Sequence, residues 1–316
     1  MSRLDRVTGR ASPNGNGAQP LEGLLTDLSQ LRRRTTWETV QLARNVKRPH
    51  AFDVVTRVFK DFQELHGDRQ FRDDPAIVAG IGLLDGKPVA VVGQQKGSTT
   101  EENIERNFGM AHPEGYRKAL RVMRLAEKFG VPVVTLVDTS GAYPGPEAEE
   151  RGQHEAIARN IFEMTRLRTP IVVIILGEGG SGGALALAVG DVVVAMENAI
   201  YSVISPEGAA AILWRTNAEA ERAANALKLT SFDLLQLGVV DGIIAEPPDG
   251  AQSDHDETAK RVGGAIRAQL ERLTRVPLND LLALRYERFR HIGVHDEPTQ
   301  TAPPPRRSWI ERLLGR

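Results

Sequence analysis

Residues 177–191 read GEGGSGGALALAVGD and follow the apolar run Ile171 to Leu176. The branched side chains of that run suit a strand buried on both faces. Ala184 to Val189 supplies good helix formers, so the local reading is strand, glycine turn, helix. Five of the seven residues from Gly177 to Gly183 are glycine, which lets a ligand atom come close to the main chain. Free N–H groups at the start of a helix would point at that atom, and the helix dipole would add to their pull. Such a device holds a phosphate or stabilises an oxyanion.

Three chemistries compete for this turn. Gly177, Gly179 and Gly182 satisfy the dinucleotide fingerprint G-x-G-x-x-G, with Glu197 placed where a ribose-binding acid would sit. A dinucleotide unit needs a full crossover helix, whereas Gly190-Asp191 ends this one early and Val192 to Met196 starts a strand at once. Gly179 to Gly183 also satisfies G-x-S-x-G, the nucleophile elbow, with Ser181 as nucleophile. That reading needs a histidine and an acid; His112, His154, Asp138 and Asp191 are available, but no spacing ties them to Ser181. The third chemistry is an oxyanion hole made of glycine N–H groups alone. Beside these stands the plain alternative of a turn that only permits close helix–strand packing.

The whole chain has 316 residues, enough for one large α/β domain or two small ones. With 40 Lys and Arg against 41 Asp and Glu, it gives no general reason to expect nucleic acid or membrane partners. It has no cysteine, which removes disulfides, thiolate nucleophiles and cysteine-ligated metals and is compatible with a cytoplasmic protein. The histidines are scattered without metal-ligand spacing, so no metal site is expected. Residues 1–20 read as a disordered tail without the apolar region of a secretory signal, and no apolar run is long enough to span a membrane.

Leucines from Leu21 to Leu31 recur at helical spacing, which predicts a helix over 21–46; Pro49 breaks it, and a second helix is expected over 53–65. This N-terminal helical region occupies 21–75. Arg32-Arg33-Arg34 reads as a solvated or partner-facing run. The core is expected over 76–247. Strands at 77–84 and 89–95 flank the hairpin signal at Asp85-Gly86. A helix over 113–129 starts on Pro113 and stops at Gly130. A strand over 131–138 and a helix over 147–168 lead to the glycine stretch. Strands at 192–196 and 200–204, a helix opened by Pro206, a helical stretch over 227–237 and a strand at 239–245 complete the core. Paired strands followed by helices favour a layered α/β fold of repeated ββα units. Helices over 254–273 and 278–291 form a C-terminal region within 248–292. Residues 293–316 carry a Pro-Pro-Pro spacer and an apolar patch at Trp309.

A second glycine-bearing turn, Asp138 to Gly145, ends the strand at 131–138. Sites in open α/β sheets lie at the carboxyl ends of strands, so Gly141, Ala142 and Tyr143 could converge with the first turn. A satisfied turn carboxylate at Asp138 and a packed ring at Tyr143 are the plain alternatives. Lys96 lies in a third loop. Arg117, Arg121, Arg124 and Lys128 share one helix face, either solvated or gripping an anion such as a coenzyme A phosphate.

These stretches resemble a known family. QKG at 95–97, RNFGM at 106–110, PEGYRKAL at 113–120, GAYPG at 141–145, AEERGQ at 148–153, EAIARN at 155–160, GEGGSGGALA at 177–186 and YSVISPEG at 201–208 are similar to the α subunit of the bacterial acetyl-coenzyme A carboxylase carboxyltransferase. The resemblance runs from about His50 to His291 and departs at Ser140, where Pro is usual, and at Gln94, where His is common. It implies a crotonase (ClpP)-like core of repeated ββα units with N-terminal and C-terminal helices packed on it. It also implies transfer of a carboxyl group from carboxybiotin, carried on a partner protein, to acetyl-CoA, giving malonyl-CoA for fatty acid biosynthesis. By resemblance, Gly182 and Gly183 hold the biotin ureido oxygen, and Gly141 and Ala142 support them. Gly179, Gly180, Ser181, Tyr143, Lys96, Arg117 and Arg121 are then expected to contact substrates. The implied partners are a β subunit in an α₂β₂ assembly, the biotin carboxyl carrier protein and biotin carboxylase, which alone uses ATP. Any zinc belongs to the β subunit. A ClpP-like hydrolase using Ser181 and a non-catalytic scaffold remain the alternatives. A Gly183→Val exchange is expected to stop turnover and leave assembly intact.

Overall fold

The computed structural model describes residues 21–293. The expectations for 1–20 and for the stretch around Trp309 lie outside the described residues.

The lead-in differs from the helix its leucines predict. Leu21, Leu24 and Leu31 are buried, but the chain joining them runs through turns and a 3-10 turn at Leu28–Gln30. Leu25 instead pairs with Ile243, and Leu24 packs over Gly242, so contacts distant in sequence override the local periodicity. The first α-helix, α1, is Thr36–Ala43; Thr35 and Glu38 close a capping box at its start. After α2 (Ala51–Val58) comes a second difference, because residues 60–64 are not helical. Lys60–Glu64 is strand β1, antiparallel to β2 (Ile77–Leu84). Gly80 and Gly82 in β2 explain it. A Cβ on Gly80 would lie 2.2 Å from Gln63 O and 2.7 Å from the Phe62 ring, so bare backbone is what admits the neighbouring strand.

β2 and β3 (Lys87–Gln94) form the expected hairpin, with Asp85 and Gly86 at φ of 50° and 77°. A short helix, α3 (Thr100–Glu105), capped by Thr99, was not legible in the sequence. α4 (Pro113–Phe129) ends at Gly130 in the left-handed conformation, as its sequence predicts. β4 (Val133–Thr139) follows. The helix expected over 147–168 is two, α5 (Pro146–Glu150) and α6 (Gln153–Arg166), broken at Gly152 with φ of 83°. β5 (Ile171–Gly180) runs on through its glycines, and the turn falls at Ser181, where α7 (Ser181–Leu185) starts. β6 (Val192–Met196), β7 (Ile200–Ser202) and α8 (Pro206–Trp214) come next. The stretch expected to be helical over 227–237 is split between α9 (Ala220–Leu227) and α10 (Ser231–Gln236) by Lys228 at φ of 54°. β8 (Gly242–Ile244), α11 (His255–Thr274) and α12 (Leu278–Arg290) close the described chain.

One sheet holds all eight strands in the order β1-β2-β3-β4-β5-β6-β8, with β7 paired to the end of β5. The first three are antiparallel, and every pairing from β3 onward is parallel. β4 and the apolar half of β5 are buried throughout, as a two-sided sheet requires. The C-terminal helices are pinned to this core by charge. Arg285 of α12 makes two 2.8 Å bonds to Asp191 and reaches the carbonyls of Met164, Leu167 and Thr169. Among the described residues no helix is long and apolar enough to cross a membrane.

Candidate functional site

Parallel pairing carries the carboxyl ends of β3, β4 and β5 to one edge, where their turns meet. A Cβ on Gly180 would lie 2.0 Å from Ser140 O, and one on Gly183 would lie 2.4 Å from Ala142 N. These two glycines are therefore required by close backbone packing. Gly182 and Gly141 are different. A Cβ on Gly182 would meet only Ile157 Cγ2, at 3.6 Å, and one on Gly141 would meet nothing within 4 Å. Neither position needs glycine for packing: Gly141 fronts open space, and Gly182 has room for a methyl beside Ile157. The expectation that all these glycines serve a ligand thus divides into two roles.

Gln94 locks the arrangement. Its amide donates to Gly183 O at 2.7 Å and accepts from the Asp138 N–H at 3.1 Å, so one side chain joins β3, β4 and α7. The Gly141 N–H donates to Thr139 Oγ1 at 3.1 Å. Among the described residues, no hydrogen bond occupies the N–H of Gly182, Gly183 or Ala142. Gly182 and Gly183 lie in the first turn of α7, where such groups have no helical partner.

Ser181 is exposed, with φ of 54°, and its hydroxyl has no partner among the described residues. The histidine that Asp138 orients is neither His112 nor His154 but His50, whose Nδ1 lies 3.1 Å from Asp138 Oδ2, both side chains buried. Asp191 is committed to Arg285. No Ser–His–Asp constellation forms among these residues.

Lys96 is drawn inward. Its ammonium sits 3.0 Å from Asp138 and 2.9 Å from Glu178, while Glu178 also binds Arg44 at 2.7 Å and Arg44 reaches Glu207 at 2.7 Å. Burial alone would lower the Lys96 pKa, but the Asp138 and Glu178 charges outweigh it and the net shift is upward. Burial likewise opposes ionisation of Asp138 and Glu178, yet Lys96 on both, with His50 on Asp138 and Arg44 on Glu178, holds each below the usual carboxylate range. Lys96 is thus a counter-ion within the fold, where a free substrate-gripping cation was expected. Arg44, Glu178 and Glu207 were missed, and the place of Glu178 inside the glycine stretch was the available signal.

The basic face of α4 is also spoken for. Arg117 binds Asp68 at 2.7 Å and the Arg151 carbonyl at 3.0 Å, Arg121 donates to the carbonyls of Gly67 and His66, and Arg124 pairs with Glu163. These arginines fasten the 66–74 loop and α6 to α4; no row of free cations faces an anion. Tyr143 stacks on His112 with ring centroids 4.1 Å apart, and its N–H donates to Ala111 O. Among the described residues, no group of three His, Asp or Glu side chains could hold a metal.

Comparison with known proteins bears on this geometry. A family described as acetyl co-enzyme A carboxylase carboxyltransferase-like matches residues 24–293. A relative from Methylococcus capsulatus is 54% identical over 264 residues, covering 84% of this chain and 82% of its own. One from Thermus thermophilus is 56% identical over 276 residues, covering 86% and 88%. Both are named acetyl-coenzyme A carboxylase carboxyl transferase subunit alpha. Among solved structures, transcarboxylase 12S aligns with a TM-score of 0.58 at 20% identity over 80% of this chain and 46% of its own, so this chain spans less than half of it. The geranyl-CoA carboxylase β subunit of P. aeruginosa aligns at 0.56 and 19% identity over 81% and 50%. Both neighbours share the crotonase-like α/β fold.

Proposed function

The chain belongs to the acetyl-CoA carboxylase carboxyltransferase α-subunit family, and from that premise we propose how its own residues serve transfer of a carboxyl group from carboxybiotin to acetyl-CoA, giving malonyl-CoA. Carboxybiotin, when bound, supplies the carboxyl group and the base that takes the methyl proton. The chain has to bind the ureido oxygen and oppose the negative charge that develops on it. The N–H groups of Gly182 and Gly183 do this, with Ala142 beside them. They are fixed before the reaction by Gln94 and by interlocked turns, so little reorganisation is needed. One such donor is worth about 3–4 kcal/mol of barrier. Gly179, Gly180, Ser181 and Tyr143 form the surrounding wall.

One observation carries this reading: neither Gly182 nor Gly141 has a packing need for glycine, Gly141 fronting open space and Gly182 having room for a methyl beside Ile157. The scaffold alternative accounts for Gly180 and Gly183 but not for these two. The hydrolase alternative has no histidine bonded to Ser181 among the described residues. The second oxyanion, on the thioester, falls to the β subunit of an α₂β₂ assembly in the cytoplasm. Biotin arrives on its carrier protein, and ATP is consumed only by biotin carboxylase. The test is malonyl-CoA-dependent carboxylation of free biotin by this chain alone, by the β subunit alone and by both. Turnover only in the mixture is expected; none in a mixture that demonstrably assembles would overturn the reading.

A further inference from the structure

Asn107, Phe108 and Gly109 follow one another at φ of 48°, 56° and 76°. Glycine adopts that region freely, asparagine tolerates it, and a bulky aromatic side chain is an outlier there. The loop is held on every side. Arg106 Nη1 donates to Pro75 O at 2.8 Å, and the Asn107 amide meets His112 Nδ1 at 3.1 Å. Gly109 lies so close that a Cβ would come 2.9 Å from both Asp138 O and Lys96 Cγ. Ala111 O accepts from the Tyr143 N–H at 3.1 Å and from Gln153 Nε2 at 2.9 Å. Gly109 and Ala111, which follow Phe108, are therefore fastened to the Asp138–Tyr143 turn that interlocks with Gly183, while Arg106 and Asn107, which precede it, are tied to Pro75 and His112. The Phe108 ring itself stays 50% exposed. Backbone strain that persists in a clamped loop beside a ligand site is commonly part of how the site works.

We propose that Phe108 is a substrate-contacting residue whose ring forms the apolar wall for the fused ring system of biotin. The inference rests on the function proposed above. Biotin has a polar ureido edge and an apolar, sulfur-bearing ring behind it. Glycine N–H groups serve only the edge. Ser140, Gly141, Ala142, Ser181 and Gly182, which frame them, offer little apolar surface, and Ile157 beside Gly182 is half-buried. The Tyr143 ring is engaged by His112. Phe108, on the adjoining loop, is a half-exposed aromatic ring with no stacking or cation partner among the described residues.

The test uses the assembled α and β subunits with free biotin and malonyl-CoA, comparing wild type with Phe108→Gly and Phe108→Tyr. Glycine relieves the backbone, so its Tm is unchanged or higher while the KM for free biotin rises about tenfold. The KM for malonyl-CoA stays as in wild type, and Phe108→Tyr restores the biotin KM. An unchanged biotin KM in Phe108→Gly overturns the proposal. So does loss of β-subunit binding, which would make the ring an interface contact. A wild-type assembly without turnover overturns the parent function and this proposal together, whereas turnover with unchanged biotin KM overturns this proposal alone.

Discussion

Gly183 and Ala142 meet backbone to backbone, with room for no side-chain atom between them: a Cβ on Gly183 would sit 2.4 Å from the Ala142 nitrogen. A Gly183→Val exchange, expected to stop turnover with assembly intact, therefore also deforms the paired turns. Overpacking of this kind costs about 1–3 kcal/mol. Gly182→Ala is the cleaner probe, since its new methyl meets only Ile157. We expect Gly182→Ala to keep or slightly raise Tm and to lower kcat by about tenfold or more, while Gly183→Ala lowers both. Thermal melts beside the biotin assay decide; equal Tm losses in the two variants would sink the division of roles.

Ser181 sits at φ of 54° with an unengaged hydroxyl. Ser181→Gly should stabilise the chain by about 0.5–1 kcal/mol in urea titration, because glycine accepts that backbone without strain. Carboxyl transfer should persist in Ser181→Ala. A fluorophosphonate probe should leave Ser181 unlabelled, and labelling would instead argue for hydrolysis.

Lys96 neutralises two carboxylates that are otherwise inside the protein. Lys96→Met removes the cation shared by Asp138 and Glu178 and leaves them only His50 and Arg44 respectively, a change that costs up to about 3–5 kcal/mol at neutral pH. Their folded pKa values are depressed, so their contribution is present above the unfolded values of 3.8 and 4.5 and is lost as pH falls through the folded ones. The stability gap between wild type and Lys96→Met should thus be widest near neutrality and shrink in acid. A gap that grows below pH 4.5 would contradict this assignment.

Arg285 satisfies Asp191 and three carbonyls from a wholly buried position. Arg285→Met should cost about 3–5 kcal/mol, because it leaves a buried carboxylate unpaired. Asp191→Asn with Arg285 intact should also destabilise the fold. A double variant should lose less than the sum of the two, as expected of partners that act together.

Much of the sheet was legible. The branched run at Ile171–Leu176, the Asp85-Gly86 turn, and Pro113 with Gly130 at the two ends of α4 each carry a local signal that the fold obeys. β1 was not legible, because Lys60–Glu64 becomes a strand only when Gly80 and Gly82 admit it. Nor was the extension of β5 through its glycines, where Gly179 gains partners in Thr139 and Tyr201 that no local pattern announces. The glycine stretch was visible as a candidate site, but the split between packed and open glycines depends on where the Ser140–Ala142 turn comes to lie. The same holds for the cations. Helical spacing places Arg117 and Arg121 on one face, yet it cannot reveal that the 66–74 loop arrives to take them.

The leucine-bearing lead-in has its partners near the other end of the chain. Leu25 pairs with Ile243, Gly23 lies against Ala265, and the Glu22 carbonyl receives Gln269 across 247 residues. Residues 22–25 can therefore make these native contacts only once β8 and α11 exist. The edge of β8 is therefore closed by chain that lies far upstream of it in sequence, a contact of long separation in an otherwise locally connected sheet.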